Sequence, residues 1–202
     1  MPKTIDFIFD FASPNAYLAH QLMPGIAART GATVNYIPCL LGGIFKVTGN
    51  QAPMIAFGNV KGKLAYEQLE MARFIKTHAI DRFRFNPHFP VNTLILMRGA
   101  VAAQMNGQAN AYITAGLKHM WEEGLKMDDP DVFVSAMSGA GLDGAALLDQ
   151  TQDPAVKERL VANTSAAVER GAFGIPTFFV GDEMFFGKDR LAQMEAEVLT
   201  SA

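Results

Sequence analysis

Apolar side chains stand at every second position near the start of the chain, at Ile5, Phe7, Phe9 and Phe11. This is the period of a strand with a buried face. The strand, Thr4 to Phe11, hands over at Ala12-Ser13-Pro14 to a helix with Tyr17, Leu18, Leu22 and Ile26 on or near one face. Ser13 followed by Pro14 reads as an N-cap and first helical residue: the hydroxyl accepts an orphan N–H, and proline's fixed φ suits the next position. The exposed N–H groups and positive dipole of such a helix start also suit an anion or thiolate. Pro24 and Gly25 interrupt the pattern and predict a kink or two short helices, with Gly31 as the C-terminal cap. Ala32 to Pro38 alternates again, and a strand–helix–strand unit of this length predicts parallel strands with a right-handed crossover.

Leu40 to Asn50 reads as a glycine-bounded segment behind the second strand, where binding loops tend to sit, with Lys46 and Asn50 as its polar groups. It lacks the GxxxxGK[ST] spacing of a phosphate loop. From about Leu64 to about Leu148 the spacing is helical throughout, apart from a connection over Phe83 to Pro90. Asn92 is placed to cap the helix holding Leu94, Met97 and Val101, Asn106-Gly107 breaks before a helix ending at Trp121, and Asp129-Pro130 starts a shorter one. The methionines here are read as core, although they would also suit an adaptable apolar wall. His119 and Trp121 are read as partly buried helix residues. Asp153-Pro154 repeats the cap-then-proline device and starts a helix ended by Gly171. Gly174 to Val180 is a proline-led strand, Gly181-Asp182-Glu183 a hairpin turn, Met184 to Phe186 the return strand, and Gly187 to Leu191 the opening of a last helix.

Composition narrows the chemistry. With 202 residues, half of them apolar, the chain has a large core, as one domain with an insertion or two small ones. A net charge of -3 and the lack of a basic run give no electrostatic case for nucleic acid. No apolar stretch is long enough to predict a membrane span. Met1-Pro2-Lys3 leads directly into a strand and not into a signal-peptide core, so a cytoplasmic protein is expected. Cys39 is the only cysteine, which excludes an internal disulfide, a CxxC pair and a thiolate zinc cluster. It is read as a small core residue. His20, His78, His88 and His119 are dispersed, without metal-ligand spacing.

The order strand–helix–strand, helical block, helix, proline-led strand, hairpin, helix is that of an α/β thioredoxin-like fold with a large all-helical insertion. The predicted division is 1–55 with 153–202 as the thioredoxin-like part and 56–152 as the insertion. Asp10-Phe11-Ala12-Ser13-Pro14-Asn15-Ala16-Tyr17-Leu18-Ala19 resembles the D-F-x-S-P-x-x-Y-L-A signature of 2-hydroxychromene-2-carboxylate isomerases and kappa-class glutathione transferases. Leu40 to Lys46 with Gly49-Asn50, Phe89 to Thr93, Gly174 to Val180, and Phe186 to Leu191 resemble further blocks of that family in the same order. Asn15 and Cys39 depart from its usual residues, which leaves the substrate open.

The resemblance implies a glutathione-dependent cis–trans isomerase on a DsbA-like scaffold, acting on a small aromatic carboxylate, and a homodimer. It implies that Ser13 stands where redox relatives keep their attacking cysteine and donates to the glutathione sulfur. Pro176 would be a cis-proline, with Ile175 offering backbone groups to the cysteinyl part. Lys188 and Asp189 would hold the γ-glutamyl end beside Phe186 and Gly187, with Asp189 suited to its ammonium. Lys61 would meet the glycine carboxylate, with Lys63 as the alternative, and Lys46 and Asn50 would face the second substrate or the thiol. Competing readings are a kappa-type glutathione transferase or peroxidase and a non-catalytic thioredoxin-fold interaction module. A disulfide oxidoreductase is disfavoured because serine replaces the attacking cysteine.

Overall fold

In a computed structural model, which describes residues 3–200, four strands form one mixed sheet of order β2-β1-β3-β4. Met1 and Pro2, read above as leading into the first strand, lie outside the described residues, as do Ser201 and Ala202. β1 (Thr4–Phe9) pairs parallel with β2 (Thr33–Pro38) and antiparallel with β3 (Thr177–Val180), which pairs antiparallel with β4 (Glu183–Phe186). The predicted parallel unit and the hairpin are both present. Being central, β1 is covered on both faces, so Ile8 is buried along with Ile5, Phe7 and Phe9. The Phe7 ring lies 4.6 Å from Phe178 and 5.1 Å from Tyr36, tying three strands through one aromatic cluster.

The helix after Ser13 does not divide into two short ones. α1 runs from Pro14 to Thr30 without a break, with Pro24 inside it and Gly31 as a left-handed cap. Pro24 is solvent-exposed and removes a single ladder bond, while Tyr17, Leu18, Met23 and Ile26 on the same helix are buried. Burial of that face outweighs the lost bond. The segment read as a binding loop is instead α2 (Leu41–Thr48), anchored by the fully buried Ile44 and closed by Gly49.

The central block consists of α3 (Pro53–Ala56), α4 (Lys63–Thr77), α5 (Leu94–Met105), α6 (Ala109–Trp121), α7 (Pro130–Gly139) and α8 (Gly144–Gln150). Asn92 accepts from the Leu94 N–H at 3.0 Å as expected, but the cap position itself belongs to Thr93. The chain then returns through α9 (Pro154–Glu169), β3, β4, a 3-10 turn (Lys188–Arg190) and α10 (Leu191–Thr200).

Two contacts dock the block onto the end of β1. Trp121 donates its indole N–H to the Phe11 carbonyl at 2.9 Å, and Gly116 lets α6 approach the Phe11 ring. A Cβ at Gly116 would fall 2.6 Å from Phe11 Cε1. Trp121 and His119, expected to be partly buried, are buried here. The helical block therefore fixes the turn after β1, two residues before Ser13.

Candidate active site

Ser13 is the N-cap of α1, as its neighbours predict: Oγ accepts from the Ala16 N–H at 3.2 Å. The same hydroxyl donates to the Ile175 carbonyl at 3.2 Å across 162 residues of sequence. That donation is long for an O–H···O bond, whose usual length is about 2.7–2.8 Å, so a better acceptor can displace it. The Ile175–Pro176 bond is cis, as expected, and so is Phe89–Pro90, which no sequence argument anticipated. Near Ser13, Asn15 Oδ1 is a buried acceptor without a hydrogen-bond partner among the described residues.

The loop carrying Ile175 is held at both ends. The Gly187 N–H donates to the Pro176 carbonyl at 2.9 Å, and Thr177 Oγ1 donates to the Gly174 carbonyl at 2.8 Å. Asn50, just past α2, donates its amide to the Phe173 carbonyl at 2.7 Å. The Phe173 and Phe186 rings lie 4.5 Å apart, and both are roughly two-fifths exposed, at 39 % and 41 %. Ser13, Asn50, Ile175, Pro176, Phe186 and Gly187 thus belong to one hydrogen-bonded and stacked neighbourhood.

The charged candidates are arranged differently. Lys188 is buried at 5 % exposure; its ammonium lies 2.6 Å from Asp189 Oδ1 and 4.7 Å from the centre of the Phe74 ring on α4. The two residues expected to hold the γ-glutamyl end also hold each other, although the Asp189 side chain remains 63 % exposed. Lys63 pairs with Glu67 at 2.5 Å, while Lys61 is exposed and makes no ion pair among the described residues. Lys46 projects from α2 as an exposed cation with no such partner among the described residues.

One residue at the site escaped sequence reasoning as a participant. Asp10, just past the end of β1, is 1 % exposed. Its Oδ1 accepts from the Ala12 N–H at 2.9 Å and from Thr93 Oγ1 at 2.6 Å, and its Oδ2 accepts from the Leu41 N–H at 2.8 Å. One carboxylate thereby joins the turn into Ser13, the first residue of α2 and the start of α5. Burial raises the pKa of this carboxyl, and the three donors oppose that rise. Cys39 is fully buried, its thiol pushed up to about 12 by burial and by the charge of Asp10, so it offers no reactive thiolate. No group of side chains suited to holding a metal occurs among the described residues.

A four-stranded sheet with a serine-capped helix facing a cis-proline loop defines a thioredoxin-type protein without a thiol of its own at that helix end. The model of the DSBA-like thioredoxin domain matches residues 4–198, and the chain belongs to that family. Within it, 2-hydroxychromene-2-carboxylate isomerases from Sphingobium xenophagum and Pseudomonas putida are 31% and 32% identical to this chain. They cover 98% and 95% of it, and the chain covers 100% and 92% of them. The human glutathione S-transferase kappa 1 is 26% identical over 95% of this chain and 88% of its own length. A solved 2-hydroxychromene-2-carboxylate isomerase superposes with a TM-score of 0.83 at 31% identity, covering 96% of this chain and 93% of its own.

Proposed function

We propose that the protein is a glutathione-dependent isomerase that interconverts 2-hydroxychromene-2-carboxylate and trans-o-hydroxybenzylidenepyruvate. One observation carries the reading: a serine hydroxyl, and not a thiol, stands at the α1 N-terminus and meets the Ile175 carbonyl through a long, exchangeable bond. The full-length similarity to enzymes of that name supports it. From the same resemblance we carry over a homodimeric state, and we keep the cytoplasmic location expected above; among the described residues no helix is long and apolar enough to cross a membrane.

The residues present fit a thiol tripeptide. The Ser13 hydroxyl and Ile175 backbone suit its cysteinyl part, exposed Asp189 its ammonium and exposed Lys61 its terminal carboxylate. Bound there, glutathione would supply a thiolate nucleophile, the chemistry that lets a conjugated double bond become single and rotate. Ser13 turns its O–H from the Ile175 carbonyl toward that sulfur, and the α1 dipole favours its negative charge. Both effects hold the thiol ionised at lower pH. Lys46 balances the substrate carboxylate and the charge that develops beside it. Phe173 and Phe186 give the aromatic ring an apolar neighbour.

An isomerase assay on a hydroxychromene carboxylate tests this directly. Turnover should require glutathione and leave its concentration unchanged. Stoichiometric depletion of the thiol would transfer the protein to the kappa-type transferase reading, and failure of millimolar glutathione to raise the unfolding temperature would reject both.

Gly174 provides a more local test. A Cβ there would lie 2.9 Å from Phe186 Cε2 and 3.9 Å from Asn50 Nδ2. Because the Phe186 ring is partly exposed and can swing outward, Gly174→Ala should cost less than about 1 kcal/mol of stability. The displaced ring should nevertheless weaken glutathione binding about fivefold. Calorimetric titration against unfolding curves separates the two effects.

A further inference from the structure

Farther along α1, that helix, β2 and α6 line an open cavity of about 380 Å³, within the usual range of small-molecule sites. His20, its nearest α1 residue to the helix start, lies seven positions beyond Ser13, about 10 Å along the axis. The apolar lining includes Met23 and Ile113, each 1 % exposed, together with Ala27 and Val34. No lysine, arginine, aspartate or glutamate contributes to it, and burial pushes the His20 imidazole down to about 4, so the wall is uncharged at neutral pH.

Its polar residues are His20, Thr33, Tyr36, Asn110 and Thr114, and two of them meet. His20 Nδ1 lies 2.7 Å from the Tyr36 hydroxyl. A neutral imidazole and a phenol carry two N–H or O–H protons between them, and their mutual bond uses one. Whichever tautomer is present, the pair keeps one donor for a third party. Four residues after His20 stands Pro24, which also lines the cavity and has no N–H. The ladder bond that residue 24 would give the His20 carbonyl cannot form. The interrupted pattern at Pro24, which does not break the helix, thus has a consequence on the helix surface.

We propose that this cavity is a second binding site, for a neutral aromatic molecule of the phenol class, whose hydroxyl donates to the His20 carbonyl and accepts from the His20–Tyr36 pair. One O–H satisfies both groups at once, and its ring covers Met23 and Ile113. A carboxylate finds no cation here, which separates this site from the chemistry proposed at Ser13.

The test is calorimetric titration of the full chain with 4-ethylphenol, ethylbenzene and 4-ethylbenzoate. The phenol should bind one molecule per chain and at least about tenfold more tightly than either analogue. Saturating glutathione should leave that affinity unchanged. Ala27→Phe, which fills the cavity, and His20→Phe, which removes the donor pair, should each weaken binding about tenfold or more. Glutathione binding should persist in both. If Ala27→Phe does not fold, His20→Phe and the ligand-induced NMR shift of the His20 ring in the unaltered protein decide. The proposal is overturned by an absence of saturable binding, by equal affinity for ethylbenzene, by displacement with glutathione, or by unchanged binding in the folded variants. It is also overturned if Ala27→Phe abolishes self-association, which would make a second copy the occupant.

Discussion

Replacing Ser13 with alanine is expected to lower glutathione-dependent turnover about a hundredfold, the usual scale for losing one donor aimed at developing or resident negative charge. The hydroxyl has two bonds in the free protein, to the Ala16 N–H and the Ile175 carbonyl, and only the second is given up when a thiolate arrives. Without it the sulfur keeps the helix dipole but loses a direct donor, so its pKa rises. Activity should therefore recover in part at higher pH, with the rate profile displaced about one unit toward alkaline. The same substitution also removes a helix cap, worth about 1 kcal/mol. Ser13→Gly separates the two roles, because glycine at a cap costs only a few tenths of a kcal/mol relative to serine. Equal rate loss in both variants, despite different stabilities, would assign the effect to the hydroxyl. A glycine variant with full turnover would leave activation to the helix dipole alone.

Asp10→Ala is expected to be the most destabilising single change at the site, by about 3–5 kcal/mol. Three donors converge on this carboxylate, and two of them are backbone N–H groups that cannot rotate away: Ala12 in the turn before Ser13, and Leu41 at the start of α2. Alanine leaves the two half-buried amides and the buried Thr93 hydroxyl without this acceptor. Thr93→Val removes one donor and should cost less, about 1–2 kcal/mol. Asp10→Asn is the sharper probe, since its amide keeps one accepting oxygen but turns N–H toward N–H at the other. It should fall between the two in denaturant unfolding. If Asp10→Ala unfolds no more readily than Thr93→Val, the carboxylate is not what joins these three elements.

Much of the candidate site was legible because its signals are local. A serine before a proline after a strand announces a cap, and Ser13 behaves as one. A proline leading an apolar run announced β3, and the turn at Gly181 announced β4. The misread parts depend on partners far along the chain. The role of Asp10 is invisible from its neighbours because Leu41 and Thr93 lie 31 and 83 positions away. The same bond to Leu41 helps explain why Leu40 to Asn50 begins as a helix: glycines suggested a loop, but the chain is tied at its first turn and buries Ile44. The ion pair between Lys188 and Asp189, beside Phe74 in a helix more than a hundred residues earlier, likewise leaves no trace in the local pattern.

The long helix α4 meets the rest of the molecule unevenly. Met71, Phe74 and Ile75 pack against the core, yet neither α3 nor α4 contains a fully buried residue, and Ile55, Val60, Tyr66 and Leu69 stand largely in solvent. Such a segment contributes few contacts to the cooperative unit and opens at low free energy. Its amides should exchange with deuterium well before those of β1 or α1. Because Lys61 and Phe74 belong to this segment, any ligand that engages them must also immobilise it, at a cost in conformational entropy. Tightness of binding at Ser13 is then set partly by how ordered residues 53–77 already are, tens of residues from the sulfur.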